Sequence, residues 1–549
     1  MSQLMKMELA MKERNNYLGK VSTELILIIL FASLEIGCTS FYPYILSYII
    51  DNINILSIQT ITTIILLFVA SIILLLLFSY LKKVMIAKFK MKICRNIRLD
   101  TFKSIEAMSF TDFHQRSFDY YVSFLVNDIE ELYTKYYENI IYGLIRIFSI
   151  SIYLVVLMYL NWMIGLILLG SILLVVFVPR LVGRKFDKKQ LDYSSARANY
   201  LTKSNELLQS HDLINEDNFE NILDIYHKSL SNMHNKDYKL NKYYSFIQIF
   251  SGSTLYIQMI IVFIGGLLLT YFNLISIGIF ASALVFTDYI AIQMSDVVNI
   301  ILDIKSSKIY RDKTTHILNG NHYAKIDESV PKEPFSSLEL MDVSLKVSND
   351  FSLKNINLNI EKRKKYVITG RNGSGKSTLA KVIAGFIIPE TGNILLNDRK
   401  TKQFSYISYI YQKRYIFEGT LLDNITMFSK SVNYKKIKRI KSMMLLVKLD
   451  YDVNYIVERD GNNLSGGEIA KICLIRELYR DKEILLLDEP LNDIDDTTRN
   501  DILNFLHNID KTVIVISHAL RLEEIQLFDR LIVIDGGVII KNTNTENIK

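Results

Sequence analysis

Apolar residues are unevenly distributed along this chain of 549 residues. Before about position 305 they gather into long runs, and after about 336 they come in short bursts between polar turns. A helix that crosses a bilayer needs about 20 mostly apolar residues. Six stretches meet that length: 25–50, 56–81, 140–160, 163–182, 246–271 and 275–301. The first is too long for a secretory signal, and no small-residue cleavage site follows it. Segments 82–138 and 183–245 are polar but poor in helix breakers. They predict helices that continue out of the membrane and return, two hairpins able to reach a cytoplasmic domain and pass motion to it. The stretch 310–334 is polar and ends in Pro331 and Pro334, which predicts a linker. Beyond it the pattern is that of an α/β domain. No low-complexity tract or long-period repeat interrupts the sequence.

Composition narrows the class. With 50% hydrophobic and 22% charged residues the chain is not disordered, and 22 Gly with 6 Pro exclude a collagen-like or linker-rich protein. Its three cysteines, Cys38, Cys94 and Cys473, cannot form a disulfide framework. A net charge of +7 is modest for this length; nucleic acid is one explanation, and a one-sided membrane protein is a simpler one. Lys82, Lys83, Lys88, Lys90, Lys92, Arg95 and Arg98 follow the second span, and Arg184, Lys185, Lys188 and Lys189 follow the fourth. The short connections 51–55, 161–162 and 272–274 carry no Lys or Arg. The positive-inside rule then places both termini and both long loops in the cytoplasm. Glu35, Arg146 and Asp288 fall inside spans, where a charge is costly and faces the bundle interior or a cavity. Two readings stay open: a polar pathway favouring cationic cargo through Glu35 and Asp288, or an internal ion pair in which Arg146 partners either acid.

The second half carries motifs with chemistry. Val367, Ile368 and Thr369 read as a strand end running into Gly370, Arg371, Asn372, Gly373, Ser374, Gly375, Lys376, Ser377 and Thr378. This is G-x-x-x-x-G-K-[ST], followed by a helical pattern over 379–385. Such glycines let backbone N–H groups wrap phosphates, and the helix N-terminus adds positive potential. Lys376 would reach the β- and γ-phosphates, and Ser377 would ligate Mg2+. Farther on, Ile484, Leu485, Leu486 and Leu487 read as a buried parallel strand that ends in Asp488, Glu489 and Pro490. An Asp at that strand end can serve Mg2+, and Glu489 is placed to polarise an attacking water. Leu464, Ser465, Gly466, Gly467 and Glu468 precede a helical stretch over 469–479. Taken alone they are a helix N-cap that also suits an anion. A further apolar strand, 511–517, ends at His518; an isolated His there is more often structural than catalytic.

The order of these motifs, with Gln412 between the first and second, resembles the nucleotide-binding domain of an ATP-binding cassette (ABC) protein. Six spans ahead of it, with long cytoplasmic loops, resemble a half-transporter of the exporter type (type IV fold). The resemblance covers nearly the whole chain. The stretch 95–128, with Phe113, His114, Gln115, Arg116, Ser117, Asn127 and Asp128, is similar to the family's first intracellular loop, and 411–425 to its Q-loop region. It implies a multidomain chain: an all-α six-helix transmembrane domain over 1–320 with two long cytoplasmic loops, and an α/β P-loop NTPase domain over 321–549. It also implies ATP and Mg2+ as ligands, with residues 370–378 on the phosphates and Ser377, Gln412 and Asp488 at the metal. Glu489 would be the general base, and His518 would contact the γ-phosphate. Ser465, Gly466, Gly467 and Glu468 would close over ATP on the opposite subunit. Asp495 would be the D-loop aspartate, and tips near 109–118 and 210–219 the coupling helices.

The implied function is ATP-driven export of a hydrophobic or amphipathic substrate (peptide or bacteriocin, lipid, or drug) across the membrane of a bacterium. The partners would be membrane lipid, the cargo, and a second copy of the chain or a related half-transporter, with no nucleic acid. An exporter-fold importer of the siderophore type and one half of a heterodimer remain alternatives. A soluble cassette ATPase acting on ribosomes or DNA conflicts with six spans. With 24 residues ahead of the first span, no leader peptidase domain is expected. Some positions depart from the family pattern. Glu468 stands where Gln is usual, and Asn492, Asp493, Ile494 and Asp495 replace a small-residue D-loop. Residues 458–461 are irregular. The adenine-stacking position falls near Val347, with Phe351 as a substitute.

Overall fold

The computed structural model describes residues 17–176, 178–319, 334–347, 351–400, 406–430, 432, 434–492, 494–518 and 520–547. The chain divides into two units, Met1–Met108 with Arg116–Gly320, and Ser109–Gln115 with Asn321–Lys549.

The first unit is built of helices joined by short turns. Its helices are α1 (Ser22–Asn52), α2 (Ile58–Glu106), α4 (Phe118–Leu160), α5 (Trp162–Val176), α6 (Val178–Gln209), α7 (Phe219–Tyr271), α8 (Ile277–Ser306) and α9 (Lys308–Leu318). The intervening α3 (Phe110–His114) belongs to the second unit. Among the described residues, five helical stretches are long and apolar enough to cross a membrane: Gly19–Asn52, Ile58–Glu106, Phe118–Leu160, Phe219–Tyr271 and Ile277–Leu318. They contain the predicted first, second, third, fifth and sixth spans, apart from a residue or two at the starts of the second and sixth. The fourth predicted span, 163–182, is met by the shorter α5, and position 177 lies outside the described residues. The rods run on well past the apolar segments, as the scarcity of breakers predicts: α2 has 49 residues and α7 has 53. Buried Ile36, Tyr153, Leu157, Leu168, Val262, Phe286 and Ile290 draw α1, α4, α5, α7 and α8 into one apolar core.

Two of the three ionisable residues inside the spans, Arg146 and Glu35, are paired, though not with each other. Arg146 Nη2 lies 2.8 Å from Asp296 Oδ2, and its Nη1 donates to Gln293 Oε1 at 2.6 Å. Arg146 therefore partners neither Glu35 nor Asp288. Asp296 lies about two turns beyond Asp288 on α8 and in reach of α4. Glu35 is taken by Lys82, which a loop-charge tally assigns to the cytoplasmic segment, and Glu24 is taken by Lys92. Asp288 is exposed on α8, and among the described residues no hydrogen bond or ion pair engages it. At the loop end of α1, the Asp51 carboxylate accepts from Ser276 Oγ at 2.6 Å and Gly278 N at 2.9 Å, capping α8. A Cβ at Gly278 would meet Ser47 O at 2.3 Å, so only glycine lets the two backbones come this close.

The second unit holds twelve strands among its described residues: β1 (Ser337–Lys346), β2 (Ser352–Glu361), β3 (Lys365–Thr369), β4 (Thr391–Leu396), β5 (Arg399–Lys400), β6 (Ile407–Ile410), β7 (Gly419–Thr420), β8 (Ile456–Val457), β9 (Ile484–Asp488), β10 (Thr512–Ile516), β11 (Arg530–Asp535) and β12 (Val538–Asn544). The six-stranded sheet has the order β12-β11-β3-β10-β9-β6, and only β12 is antiparallel. Every residue of β9 and β10 is buried, which is why both read as unbroken apolar runs. Pairing of Ile516 with Asp488 and with Ile368, and of Ile410 with Leu487, aligns four strand ends at one edge of the sheet. A second sheet, β2-β1-β4-β5, is antiparallel. The main helices are α10 (Lys376–Ile383), α11 (Leu421–Thr426), α12 (Tyr434–Leu446), α13 (Gly466–Tyr479), α14 (Asp496–Asn508) and α15 (Leu522–Ile525).

Helices α14 and α15 are joined by a two-pronged ion pair. Arg499 Nε and Nη2 donate to the two Glu524 oxygens at 2.6 and 2.8 Å, with both side chains nearly buried. The guanidinium holds the Glu524 carboxyl below the ordinary carboxylate range. A depressed folded value adds stability above the unfolded pKa, and that stability is lost as pH falls through the folded value. Arg499→Met is expected to cost roughly 3 kcal/mol at neutral pH by leaving a carboxylate unpaired. In thermal melts of the full-length protein, the gap between variant and parent should narrow as the pH falls below about 4.

Candidate functional site

The loop after β3 is shaped by its glycines. Gly370, Gly373 and Gly375 have φ of 156°, 80° and 103°, values that L side chains rarely adopt. A Cβ at Gly370 would strike Ile534 O at 2.1 Å, and one at Gly375 would press on the Phe351 ring at 2.8 Å and on Leu353 at 2.9 Å. The loop opens directly into α10, with Gly375 at its N-cap. Lys376 is 5% exposed and donates to the Gly370 and Arg371 carbonyls, both at 2.9 Å. Among the described residues, the buried Ser374 Oγ has no hydrogen-bond partner, an orphan that a ligand with several acceptor oxygens would satisfy. Arg371 and Asn372 lie exposed on the rim, and Thr378 is half-buried on the first turn of α10. These features fit a phosphate-bearing ligand.

The aligned strand ends bring the other groups to this loop. Asp488 closes β9 at 3% exposure; its Oδ1 accepts from Ser377 Oγ at 3.1 Å and its Oδ2 from Tyr409 Oη at 2.9 Å. Burial pushes the Asp488 carboxyl above the ordinary range, against the pull of the two hydroxyls. Glu489 has a φ of 50°, a left-handed conformation that costs a non-glycine residue about 1–3 kcal/mol. Its backbone N–H donates to Ile516 O at 2.9 Å. Three side chains donate to its carboxylate: Gln412 Nε2 at 2.8 Å, Asn492 Nδ2 at 2.7 Å and His518 Nδ1 at 3.0 Å. The structure thus gathers Ser377, Gln412, Asp488, Glu489 and His518 around the phosphate loop, and adds Tyr409 and Asn492. A tyrosine inside a strand bound for burial needs a partner for its hydroxyl, which is the signal that would have singled out Tyr409.

Ser465, Gly466, Gly467 and Glu468 form the N-terminus of α13. Ser465 and Glu468 close a capping box: Ser465 N and Oγ donate to Glu468 Oε2 at 2.7 and 2.9 Å, and Glu468 N donates back to Ser465 Oγ at 3.3 Å. Tyr451 Oη donates to Glu468 Oε1 at 2.8 Å, and that bond pushes the phenol up to about 12. Burial works to raise Glu468, yet the donors from Ser465 and Tyr451 together hold it below the ordinary range. A Cβ at Gly467 would meet Thr498 Oγ1 at 2.9 Å, so this glycine admits α14. Among the described residues, no hydrogen bond joins 465–468 to 370–378. The link is indirect, through Arg414, which nothing in the sequence marked. Its Nη2 donates to Pro490 O and Asn492 O at 2.8 and 2.9 Å, and its Nη1 to Gly466 O at 3.3 Å. Asp495 caps α14 by accepting from Thr498 N at 2.9 Å, and Asp493 lies outside the described residues. Val347 is exposed, and the Phe351 ring lies against Gly375 of the loop.

Comparison with known proteins places both units. Residues 25–294 match the family "ABC transporter transmembrane region" and residues 353–492 match "ABC transporter". The chain is 28% identical to the lactococcin-G-processing and transport ATP-binding protein LagD of Lactococcus lactis, over 46% of this chain and 38% of that one. It is 35% identical to the lactococcin-A transport/processing ATP-binding protein LcnC of the same species, over 35% and 28%. To the ATP-dependent lipid A-core flippase of Pectobacterium atrosepticum it is 31% identical, over 36% and 35%. The chain thus spans between 28% and 38% of the length of these three curated relatives. Its fold is that of a bacterial Atm1-family ABC exporter solved with ATP bound, at a TM-score of 0.80 and 17% identity over 97% of this chain and 96% of that one.

The glycine geometry gives a direct test. Gly375→Ala sets a methyl against Phe351 and Leu353 at a φ of 103°. The expected result is a cost of about 2 kcal/mol in stability. Nucleotide affinity, measured by fluorescent-analogue binding, should fall at least tenfold.

Proposed function

The chain belongs to the ABC transporters, with membrane region and cassette in one polypeptide, and on that premise we propose that it is an ATP-driven exporter working as a dimer. The observation that carries the reading is the convergence of Ser377, Gln412, Asp488, Glu489 and His518 beside the glycine loop, at the carboxyl end of one parallel sheet. In this reading the backbone N–H groups of 370–378 hold the phosphates of ATP, and Lys376 exchanges its two loop carbonyls for phosphate oxygens. Ser377 and Asp488, with Gln412 beside them, offer hard oxygen donors suited to Mg2+, which would neutralise charge on the β- and γ-phosphates. Glu489 takes the proton of the attacking water. Gln412, Asn492 and His518 fix the direction of its carboxylate, and His518 would turn toward the terminal phosphate.

Ser465, Gly466, Gly467 and Glu468 present a helix N-terminus that their own chain leaves away from the phosphate loop. We place it over ATP held by a second chain, either another copy or a related half-transporter, so that two sites form together. We read both termini and the cassette as cytoplasmic, a reading that the Lys and Arg of the long loops support. The cargo is hydrophobic or amphipathic, a class that includes the bacteriocin and lipid named for the relatives. Asp288, charged, exposed and unpaired among the described residues of a spanning helix, faces water or cargo rather than lipid and favours a cation.

Two measurements test this. Purified protein in nanodiscs is expected to hydrolyse ATP, and Glu489→Gln to lose at least 100-fold of that rate while still binding ATP. Retained turnover in the variant would remove Glu489 from its role, and silence in an ATP-binding parent would point to a partner subunit. In inverted vesicles, Asp288→Asn should lower uptake of cationic cargo several-fold and leave basal ATP hydrolysis intact. Equal uptake by variant and parent would leave Asp288 no part in cargo binding.

A further inference from the structure

Helix α3 is a single short turn, Ser109 capping it by accepting from Asp112 N at 3.0 Å. Within the second unit its Phe110 is held on two sides. The ring stacks on Phe386 with centroids 5.5 Å apart, and Lys381 Nζ lies 5.1 Å from its centre. Phe386 in turn meets Tyr409 edge-on at 5.2 Å, and Tyr411 closes on Tyr409 at 4.7 Å. Tyr409 is 6% exposed, so its ring has little freedom, and its hydroxyl ends on Asp488 Oδ2. The other Asp488 oxygen is engaged by Ser377. An unbroken run of packed rings therefore connects Phe110, through Phe386 and Tyr409, to one oxygen of the carboxylate at the end of β9.

We propose that Tyr409 is a positioning residue for Asp488, and that Phe110 acts on that carboxylate through Phe386 and Tyr409. The phenol fixes which way the two oxygens point, as a hydrogen bond from outside the ligand set commonly does for a metal-binding carboxylate. A shift of Phe110 moves Phe386, tips the Tyr409 ring and turns Asp488. This route from α3 to the metal-binding position bypasses Gln412. It rests on the assignment of the site to ATP and Mg2+ made above.

Both links can be tested on the full-length protein in nanodiscs, with Mn2+ as the probe. Bound Mn2+ is counted by electron paramagnetic resonance at saturating ADP, and nucleotide affinity is measured separately in EDTA. Tyr409→Phe keeps the ring and removes only the hydroxyl. It is expected to weaken Mn2+ binding about tenfold or more while leaving the EDTA affinity within twofold. Phe110→Leu, which keeps apolar bulk, should weaken Mn2+ binding by a smaller factor and add nothing to Tyr409→Phe, since coupled residues are not additive. Mn2+ affinity unchanged in Tyr409→Phe would overturn the positioning role, as would an equal loss of affinity in EDTA. Factors for Phe110→Leu and Tyr409→Phe that simply multiply would overturn the relay. A parent that binds no nucleotide either in EDTA or with Mn2+ present would remove the ATP reading itself, and this inference with it.

Discussion

The carboxylate of Asp488 lies almost wholly out of water at the end of a strand whose five residues are all buried, and its surroundings are arranged to tolerate that charge. Two hydroxyls, from Ser377 and Tyr409, are the direct protein donors to it. They offset burial only in part, since the carboxyl is still pushed up. A buried anion left so incompletely matched favours a cation beside it, and the neighbouring loop is built to receive more negative charge still. The register of β9 with β10 and β6 then decides what else arrives: Glu489 follows directly, Ser517 and His518 leave the next strand, and Gln412 leaves the one on the other side.

Residues that act through their neighbours in sequence were readable in advance. The glycine loop, the apolar strand before Asp488 and the cap at Ser465 are local patterns, and each lies on the element it implied. The long helical hairpins were equally plain from the absence of breakers. What escaped were contacts between distant positions. Arg146 finds Asp296 rather than Glu35 or Asp288 because helix packing, not span membership, selects the partner. Lys82 belongs by sequence to a basic loop, yet the helix carries it back to Glu35. Arg414 binds three backbone carbonyls, and acceptors of that kind leave no trace in side-chain patterns. The adenine position shows the same limit: spacing points to Val347, which carries no ring, and the contact of the Phe351 ring with Gly375 is one that no local pattern announces.

The N-terminus of α13 shows how a departure from the family pattern can be absorbed. A carboxylate at Glu468, where an amide is usual, puts negative charge at the helix end proposed above to lie over an anion. Here that charge is spent internally, on Ser465 N, Ser465 Oγ and Tyr451 Oη. Ser465 is in turn held in one rotamer by the capping box. Arg414 fastens the same helix end to the backbone just after Glu489.

The length of the rods has a mechanical consequence. At 1.5 Å per residue, α2 and α7 run about 74 and 80 Å, while a bilayer's hydrocarbon core takes up only about 30 Å. About 44 Å of α2 and about 50 Å of α7 extend beyond it as stiff arms. A tilt of about 5° within the bilayer swings the far end by about 4 Å, more than the length of a hydrogen bond. The helices therefore act as gearing. Rearrangements too small to disturb packing among lipid-facing side chains become large strokes at the distal tips, and a modest force applied at those tips gains mechanical advantage over the tightly packed core they pivot about.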